Sequence, residues 1–366
     1  MIDGGGKYMA DKFHWCKFSN CKLSDTFFDS LRSDYPEFDA WFIKKSEEGK
    51  EAFVFEDEHG IGVFLYLKPE CETIELVERS LPAEQRLKIG TLKIADRYQG
   101  QRIGEGAVGV ALWRWQAEKC DEVYVTVFEK HKTMISLLEY FGFKCIGTKK
   151  DTGEYLFRKS RRNLDFSDAY KAFPFISGGF EKAGIIPIED IYHDQLFLFS
   201  ELKGNKLEVE EEIAGNGITK VFIGSPNSNK YFVGEPVVIY RIYKQPLNGR
   251  TYRSAVTSYA FLTKVEIIKK SGQGLQSLDD FIRMAGNKTV FSATELNELY
   301  RTKKNLVMLE MTYNGAFGKG HNISHAEIKG SGLWFGGHPY GYVYNKTQFI
   351  QILEMGDTDV QNVIID

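Results

Sequence analysis

The chain has 366 residues, of which 43% are hydrophobic and 27% are charged, and its formal net charge is −3 at pH 7. This composition is typical of a soluble globular protein of two or three domains, and the balanced charge excludes a chain-wide basic field for nucleic acid. No apolar segment is long enough to span a membrane and no apolar signal core is present, so we expect a cytoplasmic protein. Its five cysteines have no framework spacing, so we expect reduced thiols.

The first part of the chain predicts a domain of mixed α and β structure over 13–160, preceded by a polar, glycine-rich flexible tail at 1–12. This domain is predicted to begin with a short strand, one or two helices within 24–45 and a hairpin turning at 57–60. The later predicted elements are strands at 87–94, 123–128, 144–147 and 154–158, a helix from Ile103 and a helix at 132–141.

The composition changes at 161–183, where charges, Pro174 and paired glycines predict a linker. A second, strand-rich domain is predicted over 184–366. Its predicted elements are strands at 217–223, 234–241, 253–265 and 306–311 and helices at 277–285, 293–302 and 346–353. Strands joined by long connections favour a small, partly open β-barrel with helices, so the predicted fold class is α+β.

The stretch 87–106 reads as a strand, a glycine-bearing turn and the start of a helix. The first amides of a helix have no partner within the helix, and the helix dipole favours negative charge there. A side chain at Gly104 or Gly106 would keep a phosphate away from the backbone. The stretch therefore predicts a site for a phosphorylated cofactor.

The spacing of Gln101, Gly104 and Gly106 after an apolar strand resembles motif A of the GNAT superfamily of acyl-CoA N-acyltransferases. The stretch lacks the GKS or GKT of a P-loop and the first glycine of a dinucleotide fingerprint. Residues 122–150, which include Gly142-Phe143, resemble the family's next strand, next helix and following strand. The resemblance implies a GNAT fold over about the first 160 residues, acetyl-CoA as cofactor and an amine as acyl acceptor.

By this resemblance, the turn would bind the CoA diphosphate, and the end of the strand would contact the acyl carbonyl and the pantetheine arm. The predicted cofactor-binding residues are Ile94, Ala95, Gln101, Arg102, Ile103, Gly104, Glu105, Gly106 and His131. His131 lies where family members often have an Asn that contacts the arm, and the alternative is a capping or surface histidine. For the whole turn, the alternative is a structural glycine turn without a ligand.

The catalytic residues are not identified from the sequence. The family usually has a tyrosine that protonates the thiolate four residues before Gly142, where this chain has Leu138. Tyr140 is a weak candidate because it lies on another face of the predicted helix. The acidic residues within 72–78 precede the motif strand and are interpreted as solvated, so we assign no general base.

The order of strands from 184 to 366 is similar to PUA-like domains of the ASCH type, which often hold RNA or modified nucleotides. Basic residues and tyrosines alternate around one predicted hairpin, which fits phosphate contact and base stacking. The predicted nucleic-acid-binding residues are Arg241, Lys244, Arg250 and Arg253. The alternative is a solvated hairpin whose tyrosines cover the core. His321 and His325 have an i, i+4 spacing, but nearby glycines disfavour a helix, so no metal site is predicted.

We therefore expect an acetyl-CoA-dependent N-acetyltransferase whose second domain recruits the substrate. If that domain holds RNA, the acceptor amine would belong to tRNA, an aminoacyl-tRNA or an RNA-associated protein. The alternative function is a non-catalytic scaffold or sensor on a GNAT fold that binds CoA, RNA or a nucleotide. Leu138 favours this alternative, whereas the intact turn favours the enzyme.

Overall fold

The computed structural model describes residues 13–200, 213–225, 230–244 and 253–365. The chain divides into two compact units, 1–164 and 165–366. The predicted tail, 1–12, lies outside the described residues. The predicted linker, 161–183, contains a short helix and a short strand, and Phe173, Phe175 and Ile176 within it are buried. The exact domain boundaries stay a prediction.

The first unit is mixed α and β structure around a seven-stranded sheet. Its strands are β1 (Phe13–Lys17), β2 (Glu51–Asp57), β3 (Gly60–Glu75), β4 (Ser80–Ile94), β5 (Glu122–Val127), β6 (Lys144–Thr148) and β7 (Tyr155–Ser160). Its helices are α1 (Asp29–Asp34), α2 (Phe38–Glu47), α3 (Ile103–Glu118) and α4 (Lys132–Tyr140). The sheet order is β1-β2-β3-β4-β5-β7-β6, and β4 runs parallel to β5. The predicted order of elements in this part of the chain is confirmed.

Neighbouring residues of a strand point to opposite faces of a sheet, so β3 contributes to two clusters. Different helices cover the two faces of this sheet. On one face, Phe64 of β3 packs in a cluster with Phe42 of α2. On the other, Val63 of β3 packs in a cluster with Ile103 and Ala107 of α3. We refer to these as the α2 face and the α3 face. The register of the strands places each of their remaining side chains on one of these two faces.

A buried ion cluster joins β4 to β5 at one end of their parallel pair. Arg86 and Glu122 are register partners, and the Arg86 Nε donates to the Glu122 Oε2 at 2.7 Å. Arg86 is only 2% exposed. Nη1 of Arg158, on β7, donates to the other Glu122 carboxylate oxygen at 2.8 Å. One buried carboxylate therefore holds two guanidinium groups and connects three strands.

The second unit is built on an eight-stranded sheet. Its strands are β9 (Lys182–Glu189), β10 (Thr219–Gly224), β11 (Pro236–Ile242), β12 (Ala255–Lys270), β13 (Gln273–Gly274), β14 (Leu306–Ala316), β15 (Ile323–Ser324) and β16 (Val343–Asn345). Its helices are α5 (Ala169–Ala172), α6 (Asp190–Leu196), α7 (Leu278–Ala285), α8 (Ala293–Thr302), α9 (His325–Gly330) and α10 (Lys346–Met355). A separate two-stranded sheet pairs β8 (Ile176–Ser177) with β17 (Ile364–Ile365).

The predicted small barrel of the second unit is not confirmed. The main path of the sheet is β10-β14-β12-β11-β9-β16, and its two end strands do not pair with each other in the part of the chain that the structure describes. The predicted helices at 277–285, 293–302 and 346–353 are confirmed within a few residues. Ser292 caps α8 in a capping box with Glu295, as a serine before a helix predicts.

The two histidines with helical spacing do not share a helix, because His325 begins α9 and His321 precedes the short strand β15. Among the described residues, no group of three or more potential ligands is placed to hold a metal ion. None of the described helices is both long and apolar enough to cross a membrane.

The ion cluster generates a prediction about stability. Glu122→Gln removes the buried counter-charge of Arg86 and leaves it with the exposed carboxylate of Glu84, whose Oε2 lies 3.2 Å from its Nη2, so we expect the free energy of unfolding to fall by about 3 kcal/mol. The control is Glu118→Gln, which removes the partly exposed pair between Arg114 and Glu118 on α3 and is expected to cost about 0.5 kcal/mol or less. Urea unfolding followed by tryptophan fluorescence measures both, and equal losses would contradict the prediction.

Candidate active site

β4 and β5 are paired at one end and separate at the other. The last register pair between them is Ile89 with Val125. β4 nevertheless continues to Ile94. Over 90–94, one edge of β4 is on the side of β5, and no described strand pairs with that edge. We refer to the point of separation as the fork, and to the unpaired edge of 90–94 as the free edge.

A β-bulge accounts for the position of the fork. In the antiparallel pair of β3 and β4, Leu67 lies opposite Ile89 and Tyr66 lies opposite Thr91, so Gly90 is one extra residue. A bulge bends its strand and increases the local twist, which carries β4 away from β5. A Cβ at Gly90 would lie 2.9 Å from Cδ1 of Tyr66, so a side chain does not fit there.

We did not predict this bulge from the sequence, although a signal was present. Leu87 and Ile89 are apolar, and so are Leu92 and Ile94, so the alternation shifts by one residue at Gly90. An extra residue in one strand shifts the alternation in this way, and it keeps all four apolar side chains on the α3 face.

The direction in which each main-chain group of the free edge points follows from the alternation of these groups along β4. The Ala95 N–H donates to the Gly62 carbonyl at 2.8 Å, and the Ala95 carbonyl accepts from the Tyr98 N–H at 3.0 Å. Because Ala95 bonds toward β3, the main-chain groups of Leu92 and Ile94 point to the opposite side, along the free edge. The structure thus agrees with an exposed main chain at Ile94, but it does not support the predicted main-chain role of Ala95, whose groups are already bonded.

α3 begins after a turn that has two residues with positive φ. Gly100 has φ +78°, and the N-cap residue Arg102 has φ +60°. The Arg102 side chain does not cap the helix; its Nε and Nη2 donate to the carboxylate of Glu105 at 3.0 and 2.9 Å. The first bond within the helix runs from the Gly106 N–H to the Arg102 carbonyl at 3.2 Å. The preceding amides, starting with that of Ile103, therefore have no partner within the helix.

Gly104 lies close to the end of β4. A Cβ there would lie 3.1 Å from Cδ1 of Ile94 and 3.4 Å from Cδ2 of Leu137 on α4. In the turn before α3, the Gln101 Nε2 donates to the Arg97 carbonyl at 3.2 Å. The structure therefore brings the predicted turn residues together beside the open end of β4. Their contact with a cofactor stays a prediction.

The short helix α1 bridges the open end of the fork on the α2 face. Ser30 of α1 accepts a hydrogen bond from Lys93 of β4. Asp34 accepts one from Lys130, and its Oδ2 lies 2.9 Å from Nε2 of His131; both partners follow β5. Burial works in the opposite direction, but the hydrogen bonds from Lys130 and His131 lower the pKa of Asp34. His131, predicted to contact the pantetheine arm, is thus held in place by a carboxylate at the open end.

Three polar side chains meet on the α2 face at the fork. Lys88 and Tyr124 are register partners, one residue before the last pair of β4 and β5. The Tyr124 hydroxyl donates to Oε1 of Glu70 on β3, which is 7% exposed. The Lys88 Nζ lies 5.6 Å from the centre of the Tyr124 ring. We refer to Lys88, Tyr124 and Glu70 as the fork cluster.

The fork cluster holds opposite charges in a partly buried place. Burial opposes ionisation, but the hydrogen bonds from Tyr124 and Lys68 lower the pKa of Glu70. The Lys68 Nζ lies 3.0 Å from the Glu70 Oε2. Burial raises the pKa of Tyr124, and the carboxylate of Glu70 raises it further. Burial lowers the pKa of Lys88 against the attraction of Glu70, and the ammonium groups of Lys149 and Lys68 lower it further.

The sequence reasoning missed the fork cluster. Lys88 interrupts an otherwise apolar part of β4 just before Gly90, and this was the available signal. The residue in place of the family's tyrosine, Leu138, is fully buried. Tyr140 is the last residue of α4 and is 44% exposed, with its ring centre 5.5 Å from that of Phe141.

In the second unit, the structure argues against the predicted phosphate role of Arg241. Arg241 is 0% exposed, and its Nε and Nη2 donate to the two carboxylate oxygens of Asp194 at 2.7 and 2.8 Å. The ring nitrogens of His193 lie 2.8 Å from Asp194 Oδ1 and 2.8 Å from Thr257 Oγ1. Burial works in the opposite direction, but the hydrogen bonds from Arg241 and His193 lower the pKa of Asp194 to about 2. This network is part of the interior.

Two other predicted RNA-binding residues lie at the surface. Lys244 is exposed, with its Nζ 3.0 Å from a carboxylate oxygen of Glu189. Arg253 is exposed, and its Cζ lies 5.0 Å from the centre of the Tyr243 ring. Arg250 lies outside the described residues.

No family model matches the chain, and no curated protein matches it. It is similar to the solved structure of a GNAT family acetyltransferase from Elizabethkingia anophelis with acetyl-CoA bound, at 12% identity over 41% of this chain and 99% of that chain, with a TM-score of 0.29. The PaiA N-acetyltransferase from Thermoplasma acidophilum in complex with coenzyme A matches at 14% identity over 38% of this chain and 80% of that chain, with a TM-score of 0.26. Ard1 from Thermoplasma volcanium matches at 11% identity over 41% of this chain and 97% of that chain, with a TM-score of 0.26.

The turn before α3 generates a prediction about CoA affinity. A Cβ at Gly100 meets no atom within 4 Å, so Gly100→Glu and Gly100→Gln share the same backbone strain and differ by one charge. If the CoA diphosphate lies at the start of α3, we expect the Glu variant to bind CoA about three- to tenfold more weakly than the Gln variant at low salt. Isothermal titration measures the difference, which is expected to shrink in about 0.5 M salt. Equal affinities at low salt would place the diphosphate elsewhere.

Proposed function

We propose that the first unit is an acetyl-CoA-dependent N-acyltransferase that transfers an acyl group to a primary amine. The observation that carries the proposal is the fork: β4 leaves β5 at Gly90 and ends beside the first turn of α3, where the helix dipole favours negative charge. A free strand edge offers hydrogen bonds to an extended ligand that contains amides, and a helix N-terminus offers them to its phosphates. Coenzyme A carries both groups in one chain.

The proposed binding mode assigns one part of the ligand to each part of the site. The diphosphate lies against the amides of the turn at 101–106. The pantetheine arm lies along the free edge and bonds the main-chain groups of Leu92 and Ile94. The thioester then reaches the fork, where main-chain N–H groups of β4 polarise its carbonyl and stabilise the oxyanion that forms when the amine attacks.

The alternative from another class is a non-catalytic protein that keeps CoA as a structural or sensory ligand. The buried Leu138 favours it, because the resemblance implies a proton-donating tyrosine at that position. The intact fork favours acyl transfer. Binding the phosphates needs only the turn before α3, whereas a reaction at the thioester carbonyl also needs the free main-chain groups beside it.

A two-step experiment separates these functions. Acetyl-CoA at about 100 times its Kd is expected to stabilise the chain by about 2.7 kcal/mol, measured as a rise in melting temperature. Thiol release is then measured with a panel of polyamines, peptides with free amino termini and pooled tRNA. Stabilisation with release of free CoA in proportion to acylated amine supports the enzyme. Stabilisation without release from any amine supports the non-catalytic protein, and no stabilisation contradicts CoA binding.

For the second unit, we propose that it recruits an RNA or nucleotide-bearing substrate, as the similarity to PUA-like domains implies. The supporting observation is limited to two exposed basic residues, Lys244 and Arg253, and the Arg253 Cζ lies 5.0 Å from the centre of the Tyr243 ring. Exposed cationic groups suit the phosphates of such a substrate. Under this proposal the acceptor amine belongs to tRNA, an aminoacyl-tRNA or an RNA-associated protein.

This recruitment generates a separate prediction. The double variant Lys244→Ala with Arg253→Ala is expected to retain pooled tRNA about tenfold more weakly at low salt, with a shallower salt dependence. The control is Lys303→Ala with Lys304→Ala, which removes two exposed charges after α8. Filter binding across a salt series measures both variants. Recruitment through Lys244 and Arg253 is wrong if the unmutated chain shows no salt-sensitive retention, or if both double variants lose it equally.

A further inference from the structure

The geometry of the fork sets where a thioester would stop. A ligand arm on the free edge runs from Ile94 toward Ile89, where β5 pairs with β4 again and closes the opening. Five strand steps cover about 16 Å, a length comparable to an extended pantetheine arm. The reactive end of such an arm therefore lies beside Lys88 and Gly90.

The two faces of the fork differ in chemistry. Ile89 and Val125 point to the α3 face, where the core is apolar. Lys88 and Tyr124 point to the α2 face, and Glu70 joins them there through the Tyr124 hydroxyl. An acceptor amine and a leaving sulfur both need proton transfer, and the titratable groups of the fork cluster lie on the α2 face.

We propose that the fork cluster is the proton-transfer site of the acyl transfer, with Lys88 as the acid for the departing sulfur and Glu70 as the base for the acceptor amine. This inference rests on the proposed acyltransferase function. The resemblance implies that a tyrosine at the position of Leu138 protonates the thiolate. Here the proton transfers are assigned instead to residues on three strands of the sheet.

The reaction balances in atoms and charge. The neutral acceptor nitrogen attacks the carbonyl carbon of the thioester and forms the C–N bond. The C–S bond breaks, its electron pair remains on sulfur, and the sulfur takes a proton from the Lys88 Nζ. The nitrogen loses its extra proton to the Tyr124 hydroxyl, which passes its own proton to Oε1 of Glu70. Lys88 and Glu70 then each exchange one proton with water.

The surroundings of Lys88 suit an acid for a thiolate. Among the described residues, its Nζ has the ring contact with Tyr124 and no hydrogen bond. Its burial lowers its pKa from that of an exposed lysine toward that of a thiol, which reduces the cost of transferring a proton between them.

Other charged and titratable groups also face Lys88 and influence its titration. Lys68 of β3 lies opposite it in the register. Two charged residues come from the connection between β6 and β7: Lys149 lowers the pKa of Lys88, and Glu154 raises it. The Glu154 Oε1 accepts a hydrogen bond from the Tyr35 hydroxyl at 2.6 Å, so this carboxylate is held by the segment after α1.

Lys88→Arg tests the assignment, because arginine keeps the charge and does not release its proton. We expect kcat for thiol release to fall about 100-fold, while the Kd for CoA stays within about threefold. The control is Lys144→Arg, an exposed lysine of β6 in the same row of the sheet, which is expected to keep the kcat of the unmutated chain.

The pH profile gives a readout that a structural role would not change. An acid must be protonated, so kcat of the unmutated chain is expected to fall as the pH rises through the pKa of Lys88. A base must be ionised, so kcat is expected to fall as the pH drops through the pKa of Glu70. Lys88→Arg removes the fall at high pH, and Glu70→Gln removes the fall at low pH. Lys88→Gln is the second variant if the arginine does not fit.

The outcomes separate this inference from the proposed function. If the unmutated chain binds CoA and releases no thiol with any amine, the acyltransferase proposal fails and this inference fails with it. If the chain turns over and Lys88→Arg keeps both its rate and its fall at high pH, only the proton-transfer assignment is wrong. If mass spectrometry finds an acetyl group on Lys88 after incubation with acetyl-CoA alone, Lys88 is an acceptor rather than an acid, which also overturns the assignment.

Discussion

The parallel pair of β4 and β5 is the element on which the first unit depends, because it is closed at one end and open at the other. At the closed end, the Arg86 Nε donates to the Glu122 carboxylate at 2.7 Å, and both side chains are largely buried. Separating these groups would strand a buried charge, so the contact fixes the register of both strands. At the open end, the bulge at Gly90 leaves main-chain groups of β4 facing away from β3. The same sheet therefore supplies rigidity and a place where a ligand can extend it.

The elements around the opening contribute groups of different kinds. α3 contributes amides and a favourable dipole at its first turn. α1 bridges the two diverging strands through Ser30 and Asp34, which bond to groups on opposite sides of the opening. The fork cluster contributes groups that exchange protons. The groups of the site come from α1, β3, β4, α3 and β5, so the site exists only when the sheet has formed.

The sequence predicted those features of the molecule that depend on local patterns. The order of elements in the first unit follows from its hydrophobic periodicity, and the turn before α3 follows from glycines and a resemblance. The fork cluster was not predictable in this way, because Glu70, Lys88 and Tyr124 lie on three strands and meet only through their register. Arg241 illustrates the opposite error: its basic and aromatic neighbours suggested a surface, whereas Asp194, which is remote in the sequence, holds it in the interior.

The extra residue at Gly90 has a consequence for how this strand tolerates insertions and deletions. Before Gly90 the even-numbered side chains point to the α2 face, and after it the odd-numbered ones do. Deleting Gly90 would restore the regular alternation and leave Leu92 and Lys93 on the faces that they now occupy, but it would remove the bulge that bends β4 away from β5. A one-residue deletion at this position would therefore spare the packing of the strand and straighten it alongside β5, so the extra residue shapes the opening and not the core.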